Sequence, residues 1–453
     1  MKQIKTLIYL FMISAIIISC SDDVANVPTD AAKSEANSAI RSLDEVINVA
    51  NNAAEYFGGK SSRGIVRTAK NDVVVITNHL SRSGNQDTLL YVVNYDDDNG
   101  FAIVSARKDK IALLGIVDEG RFSEEDLNID DGYTATFESA KSYVLLRDSL
   151  TIHKPIVMCD TFTVVEKNVL DYRSRAAKRW GQVWPEGIYC PNHMCGCVPL
   201  ATVMILSYLN QPTSITLTIP EYNGQVLNID WDAVNSHTQS EYYTAQTPPS
   251  PQNEGQQTLA LLCRQIGIME DCSYLPNPPM ATSEESWWQT NYTTSTSYHA
   301  KNVLAELLPD YDVEAINYSA PYKEQIYQAL RNAPCYVSGS RIGHSTGHAW
   351  VCDGYQKCEF TIKTYFGTQS AQGEILYGNL LSTDTEIHAY LHHNWGRNGK
   401  CNGWFIEDLY DYQIPAADSN GIEQGWYDSN SQSNDYTTFR NVAFIGVTAK
   451  SDN

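Results

Sequence analysis

The sequence predicts an α+β protein, and three observations on the 453-residue chain point to this class. The composition is 43% hydrophobic with 11% aromatic residues, which supports packed cores rather than disorder. Apolar residues recur at helical spacing in some segments, and short alternating runs typical of strands occur in others. In the longer C-terminal part the helical patterns precede the strand patterns, which favours segregated lobes of helices and strands.

The first predicted domain spans residues 29–172. Thr29 and Asp30 can cap its first helix, which carries apolar residues at helical spacing as far as Phe57. Strands are predicted at 73–76, 89–95 and 101–105. The last two flank residues 96–100, Asp-Asp-Asp-Asn-Gly, whose composition is typical of a hairpin turn. With a second helix at 136–150, these elements predict a compact α+β unit.

A basic stretch follows this unit in an otherwise acidic chain. Residues 173–179 contain Arg173, Arg175, Lys178 and Arg179. One interpretation is a solvated linker. The other is a processing site between a pro-segment and a mature domain, because loops that proteases cut are polar, small-residued and accessible. On that interpretation the mature protein begins within 173–180.

The second predicted domain spans residues 180–453 and is richer in aromatic residues and glycine. Helices are predicted at 198–208, 257–267 and 322–331. Strands are predicted at 349–352, 389–392, 404–406 and 442–447. No internal repeat and no later membrane-spanning segment is apparent in the sequence.

The N-terminus predicts export from the cytoplasm. Lys2 and Lys5 precede an apolar run at 7–18, which is too short to span a bilayer comfortably and fits a signal peptide at 1–19. The apolar run ends in Ile-Ile-Ser-Cys at 17–20, where apolar residues are followed by a small residue and then by Cys20. This order resembles a bacterial lipobox, which implies lipidation of Cys20 and a tether at 20–28. A cleaved secretory signal with an incidental cysteine is the alternative. The expected location is the cell envelope, as an outer-membrane or cell-surface lipoprotein that processing could release.

Charge and cysteine content narrow the function classes. A formal net charge of −21 argues against a nucleic-acid-binding protein, because phosphate binding needs clustered Lys and Arg. Ten of the 11 cysteines lie beyond Cys20, and in an oxidising compartment most of them could pair. The pairing cannot be read from the sequence.

Three of these cysteines lie in the stretch CPNHMCGCVPL at 190–200, which allows three interpretations. Cys190, His193, Cys195 and Cys197 could bind zinc, although their spacing is not that of paired knuckles. Cys190 and Cys195 could form a local disulfide. Cys197 could be a nucleophile, because Gly196 precedes it, a helix starts beside it, and the positive end of a helix dipole favours a thiolate.

Three downstream residues and one upstream residue complete a possible catalytic set. His348 lies at the start of an apolar strand and could carry the proton of a thiol. The side-chain carbonyl of Asn394 could accept an imidazole NH, and Trp395 could shield that hydrogen bond from water. The side-chain NH of Gln182, beside the backbone NH of Cys197, could form an oxyanion hole.

At these residues the chain resembles the streptopain family of papain-like cysteine proteases. The matching motifs are Gly196-Cys197-Val198, Gly347-His348-Ala349 with Asp353-Gly354, Asn394-Trp395-Gly396, and the pro-domain hairpin at 91–106. The resemblance implies a papain-like, two-lobed cysteine protease domain preceded by a small α+β inhibitory pro-domain. The chain departs from the family in three ways. It has Arg397 where a second tryptophan is usual, it carries a long insert between Tyr355 and Leu391, and it contains many cysteines.

The resemblance implies a role for each matched residue. Cys197 is the expected nucleophile, His348 the general base and acid, Asn394 the orienting group, Trp395 the shield and Gln182 the oxyanion donor. The implied function is a lipid-anchored zymogen of a cysteine endopeptidase that forms an acyl-enzyme and needs no cofactor or metal. Its expected partners are protein or peptide substrates, its own pro-domain as an intramolecular inhibitor, and the membrane through acylated Cys20. The alternatives are a catalytically degenerate surface lipoprotein acting as a binding module, or a zinc-stabilised protein.

Overall fold

The structure, a computed structural model, describes thirteen segments of the chain. They are residues 40–57, 67–78, 87–108, 110–128, 132–145, 161–173, 178–241, 249–275, 293–317, 323–341, 347–369, 375–409 and 439–450. The predicted signal peptide, the acylation at Cys20 and the tether lie outside these segments, as do residues 174–177 of the basic stretch. The described residues from Arg41 onward belong to one compact unit.

The first helix, α1 (Leu43–Tyr56), begins at a capping box rather than at Thr29 and Asp30. The Ser42 hydroxyl accepts from the Glu45 backbone NH at 3.3 Å, and the Glu45 carboxylate accepts from the Ser42 NH at 2.7 Å. Because Ser42 is extended (φ −70°, ψ 161°), one helix running from residue 30 to 57 is ruled out. The prediction of a helix is confirmed, but its predicted start is wrong.

Four antiparallel strands and a second helix complete the N-terminal part. The strands are β1 (Ala69–Asn78), β2 (Asp87–Tyr95), β3 (Phe101–Ser105) and β4 (Leu113–Val117). The β2–β3 hairpin forms at the predicted turn, where Gly100 has φ +93° and a Cβ would lie 2.0 Å from the Val117 carbonyl oxygen. Helix α2 (Gly132–Leu145) starts four residues earlier than predicted.

The C-terminal part contains five described α-helices and a hydrophobic core around the first of them. They are α3 (Cys197–Leu209), α4 (Trp231–Ser236), α5 (Glu254–Met269), α6 (Ser297–Leu307) and α7 (Lys323–Asn332). Helix α3 is apolar on nearly every side and is buried from Val198 to Ser207, so it is held by packing rather than by solvent-facing pairs. None of the described helices combines the length and apolar character that crossing a bilayer requires.

The remaining strands extend the first four into one large antiparallel sheet and form two separate two-stranded sheets. They are β5 (Thr161–Arg173), β6 (Ser214–Thr216), β7 (Val226–Asn228), β8 (Ser273–Tyr274), β9 (Thr293–Thr294), β10 (Tyr311–Asn317), β11 (Cys335–Arg341), β12 (Gly347–Gln369), β13 (Ile375–Asn394), β14 (Gly403–Ile406) and β15 (Phe439–Ala449). The order in the large sheet is β1-β2-β3-β4-β14-β13-β12-β11-β15-β10, and β5 also pairs with β12; the two-stranded sheets are β6 with β7 and β8 with β9. Helices packed on a large antiparallel sheet confirm the predicted α+β class.

Two features of this sheet bear on function. Strand β4 pairs with β14, with Gly403 opposite Val117, so the two predicted domains share one sheet. The insert between Tyr355 and Leu391 is the outer part of the β12–β13 hairpin, and β5 lies along it. The strand that leads into the basic stretch is therefore paired with the insert.

Candidate active site

Cys197 is the first residue of helix α3, as the sequence predicts. Gly196 before it has φ +94° and ψ 156°, a backbone conformation that side chains rarely tolerate. A Cβ at this position would also lie 2.8 Å from the Thr293 Cβ. The glycine therefore lets the chain turn sharply into the helix and hold the sulfur at the positive end of the helix dipole.

The pKa of the Cys197 thiol is lowered from its ordinary value. Burial disfavours the thiolate, but the adjacent His348 outweighs burial through its charge and a hydrogen bond to the sulfur. The backbone NH groups of Ala349 and Cys197 contribute in the same direction. The pair therefore favours a thiolate beside an imidazolium, the reactive form of a cysteine nucleophile.

His348 reaches this position as the second residue of strand β12. Its Nε2 lies 3.1 Å from the Trp395 carbonyl oxygen, which can only accept, so Nε2 carries a proton. The ring also stacks on Trp350, with centroids 6.1 Å apart and planes 13° apart. These contacts orient the imidazole and leave Nδ1 to exchange a proton with Cys197.

Asn394 lies at the end of β13, but it does not hold His348 in the expected way. Its side-chain NH₂ donates to the Lys178 carbonyl oxygen, and its side-chain oxygen accepts from the Gly396 backbone NH at 3.2 Å. The expected hydrogen bond from His348 to Asn394 is therefore replaced by one to the Trp395 carbonyl. The physical reason is that Asn394 satisfies both ends of its amide with backbone groups and so shapes the turn that presents that carbonyl.

Trp395 is fully buried, and its carbonyl oxygen contacts His348. Its Nε1 donates to the Cys401 carbonyl oxygen at 2.8 Å, and its ring lies 5.2 Å from the Trp350 ring and 5.6 Å from the Phe405 ring. This packing excludes water from the side of the His348 hydrogen bond. The position agrees with the shielding role that the resemblance implies.

Gln182 lies on a turn that is tied to the nucleophile segment. Its carbonyl oxygen accepts from the Cys195 NH at 2.9 Å, two residues before Cys197. The preceding Trp180 carbonyl accepts from the Asn398 NH at 3.2 Å. Beneath the turn lies the buried Glu186, which accepts from the Gly181 NH and whose pKa burial raises to about 8. The turn thus brings Gln182 beside the segment that carries Cys197.

Comparison with known families identifies the chain. Residues 177–405 match the model of the Peptidase C10 family, and residues 25–144 match that of the Spi protease inhibitor. The chain belongs to the peptidase C10 family. This is the family of streptopain, so the resemblance read from the sequence is confirmed, with an inhibitor-type pro-domain before the peptidase domain.

A solved structure is also similar to this C10 family member. It is a fragment of prointerpain A from Prevotella intermedia, in a cysteine-to-alanine variant, and it is 17% identical. The match covers 83% of this chain and 100% of that fragment, with a TM-score of 0.46. A search of the curated proteins found no match.

The other cysteines of the C10 domain differ from Cys197. Cys190 and Cys195 are both free thiols, so the local disulfide that the sequence allowed between them is not formed. Burial raises the pKa of Cys190 to about 12, and burial with a hydrogen bond to Cys263 raises that of Cys195. Among the described residues no group of three or more His, Cys, Asp and Glu side chains is placed to hold a metal, so the alternative zinc site, with His193 as a ligand, is not assembled.

Two contacts of the pro-domain were not predicted from the sequence. Gly132, at the start of α2, lies against Trp395 and His348: a Cβ there would be 2.6 Å from Trp395 Cζ3 and 3.1 Å from His348 Cδ2. Asp118, after β4, forms an ion pair with His392 at 2.8 Å. The only sequence signal for the second contact is the His392-His393 pair before Asn394.

Proposed function

We propose that this C10 family member is the zymogen of a cysteine endopeptidase, with Cys197 and His348 as its catalytic pair. The observation that carries the proposal is the lowered pKa of a helix-starting thiol bonded to an oriented imidazole. A purely structural cysteine in so buried a place would have a raised pKa, as Cys190 and Cys195 do.

In the proposed mechanism the Cys197 thiol gives its proton to His348, and the sulfur attacks the carbonyl carbon of the scissile peptide bond. The carbonyl oxygen becomes an oxyanion, which the backbone NH of Cys197 and the side-chain NH of Gln182 would stabilise. His348 then protonates the departing amine as the C–N bond breaks, leaving a thioester acyl-enzyme. Water, deprotonated by His348, hydrolyses the thioester and restores the thiol.

The same proposal includes latency imposed by the pro-domain. Gly132 brings the backbone of α2 against Trp395 and His348, on the surface that a substrate would approach. Strand pairing between β4 and β14 holds the pro-domain there, and Asp126 pairs with Arg397 at 3.5 Å across the same boundary. Cutting near residues 173–179 would separate the two domains, and an acylated Cys20 would anchor the precursor at the cell envelope.

Activity before and after removal of the pro-domain tests this function. A chain beginning at Trp180 is expected to hydrolyse casein, and the intact chain, in which the pro-domain is docked, is expected to hydrolyse it more slowly. Circular dichroism of the shortened chain checks that it is folded. A shortened chain that is folded but inactive would contradict the proposed peptidase activity. Equal activity of the intact and shortened chains would contradict only the proposed inhibition by the pro-domain.

The contact at Gly132 gives a further expected result. Gly132→Ala adds a methyl group that cannot fit against Trp395 without displacement, and overpacking of this kind costs about 1–3 kcal/mol. The full chain should therefore mature faster, by roughly fivefold to a hundredfold if the cost falls on docking. Asn52→Ala is the control, because it also places an alanine on a pro-domain helix, but at an exposed position of α1. Equal maturation rates for the two variants would contradict the role given to the contact.

A further inference from the structure

A buried histidine lies between two carboxylates where the pro-domain meets the peptidase domain. His392 Nε2 is 2.8 Å from Asp118 Oδ2 of the pro-domain, and Nδ1 contacts Asp353 Oδ1 of the neighbouring strand β12. His392 is 5% exposed and Asp353 is 4% exposed. Neither group belongs to the catalytic pair, and the proposed mechanism uses neither of them.

The geometry fixes the charge of this histidine. A neutral imidazole has one N–H, whereas two ionised carboxylates that face its two nitrogens can only accept. His392 satisfies both only when each nitrogen carries a proton, so the arrangement requires an imidazolium. Its single charge is then shared between a carboxylate that stays with the peptidase domain and one that leaves with the pro-domain.

The other charged groups around His392 support this assignment. Arg67, 5% exposed, donates to the Asp118 carbonyl at 2.8 Å and lies 3.4 Å from its carboxylate. On the other side, burial and the charge on His392 hold the pKa of His393 well below its usual value, so His393 stays neutral. The Trp404 ring lies 5.0 Å from the His392 ring, and the adjacent Glu119 pairs with Arg179.

The network lies where the two domains are joined by strand pairing. The Asp118 NH donates to the Asn402 carbonyl at 2.8 Å, directly after the β4–β14 ladder. Opening of this ladder would therefore separate Asp118 from His392. The protonation of one buried side chain and the docking of the pro-domain are thus linked.

We propose that His392 is a proton-dependent latch, which holds the pro-domain through Asp118 while it is protonated and releases it as the pH rises. The inference rests on the proposed zymogen and adds how its latency is regulated. It needs no contact at Cys197, so it can fail or hold independently of the peptidase chemistry.

The pKa shifts set the direction of the effect. Burial lowers the pKa of His392, but Asp353 and Asp118 outweigh it and raise the pKa well above its usual value. His392 therefore has a higher pKa in the docked state than in the undocked state. Docking is strongest below the pKa of His392 in the undocked state, and it weakens as the pH rises from that value to the pKa of His392 in the docked state. One linked proton weakens docking by about tenfold per pH unit in that window.

Asp118 sets the acidic limit in the opposite sense. Burial raises its pKa, but His392 and Arg67 outweigh burial and lower it. Docking through Asp118 is therefore complete above its ordinary pKa of about 4 and is lost as the pH falls through the lowered value. Between these limits, docking should not vary with pH through this network.

Hydrogen–deuterium exchange of the full chain tests the latch without using catalysis. The full chain carrying Cys197→Ala cannot process itself, so the docked state can be followed from pH 5 to 9. After correction for intrinsic exchange, protection of β4 and β14 should be constant near pH 5 and then fall by about tenfold per pH unit above neutral. Exchange at the histidine C2 position should give a midpoint for His392 above that of an ordinary histidine.

Two substitutions in the same chain decide the outcome. Asp118→Asn should remove the alkaline loss of protection and lower the His392 midpoint. Asp126→Asn is the matched control, because its partner Arg397 stays charged at every pH: it should weaken protection without changing the pH dependence. Constant protection across the range in the unsubstituted interface, or the same pH dependence in both variants, would overturn the proposal. Inactivity of the shortened chain on casein would leave this result unaffected.

Discussion

Replacing Cys197 by alanine is expected to reduce peptide hydrolysis by the mature domain on the order of a thousandfold or more. The proposed reaction passes through a thioester on this sulfur, and no neighbouring thiol can replace it. The thiols of Cys190 and Cys195 are buried and have raised pKa values. The measurement is the initial rate of casein hydrolysis by the purified chain beginning at Trp180.

Cys190→Ser and Cys195→Ser are the matched controls for this prediction. Both sulfurs lie in the same short segment as Cys197, and neither is joined to another residue by a disulfide in the structure. Both variants are expected to keep their activity, with some loss of stability because a buried hydroxyl replaces a thiol. Full activity of Cys197→Ala, or complete inactivity of both folded serine variants, would contradict the assignment of the nucleophile.

His348→Ala is expected to abolish hydrolysis to a similar degree and also to change the ionisation of Cys197. In the native site burial raises the pKa of the thiol and His348 reverses that effect. Without the imidazole, burial is opposed only by the backbone NH groups of Ala349 and Cys197, so the pKa should rise. At any pH below the pKa of Cys197 in both the native protein and the variant, the thiolate fraction falls tenfold for each unit by which the substitution raises that pKa.

The rate at which iodoacetamide alkylates Cys197, measured from pH 5 to 10, gives this pKa directly. Native protein should reach half its maximal rate at a lower pH than His348→Ala, because the imidazole lowers the pKa of the thiol. His193→Ala is the matched control, since His193 lies in the cysteine-rich segment but has no part in the ionisation of Cys197. Coincident profiles for native protein and His348→Ala would show that His348 does not activate the thiol.

Much of the fold could be predicted because its signals are local. Helix α3 begins at Cys197, beside the glycine that the sequence singles out, and the β2–β3 hairpin forms at its Asp-Asn-Gly turn. The lengths of β12 and β13 could not be predicted. The outer part of β13 carries the polar run Ser-Thr-Asp-Thr at 382–385 and exposed apolar residues such as Ile387, so the alternation that marks a half-buried strand is lost there.

The candidate catalytic residues could be named together from the sequence, whereas their contacts could not. The order Cys197, His348, Asn394 is visible in the sequence, and the structure brings Cys197 and His348 together. The acceptor for His348 is the Trp395 carbonyl, a backbone group that carries no sequence signal. Asp118 and His392 are 274 residues apart, and only the pairing of β4 with β14 places them together.

The most direct test of the central claim is to find which cysteine a substrate-like inhibitor modifies. A peptidyl epoxide is incubated with the chain beginning at Trp180, and the modified residue is identified by mass spectrometry of its peptides. A single adduct at Cys197, absent from His348→Ala at neutral pH and slower to form in the full chain, is the expected result. An adduct on another cysteine, or none on folded protein, would contradict the assignment of Cys197 as the nucleophile.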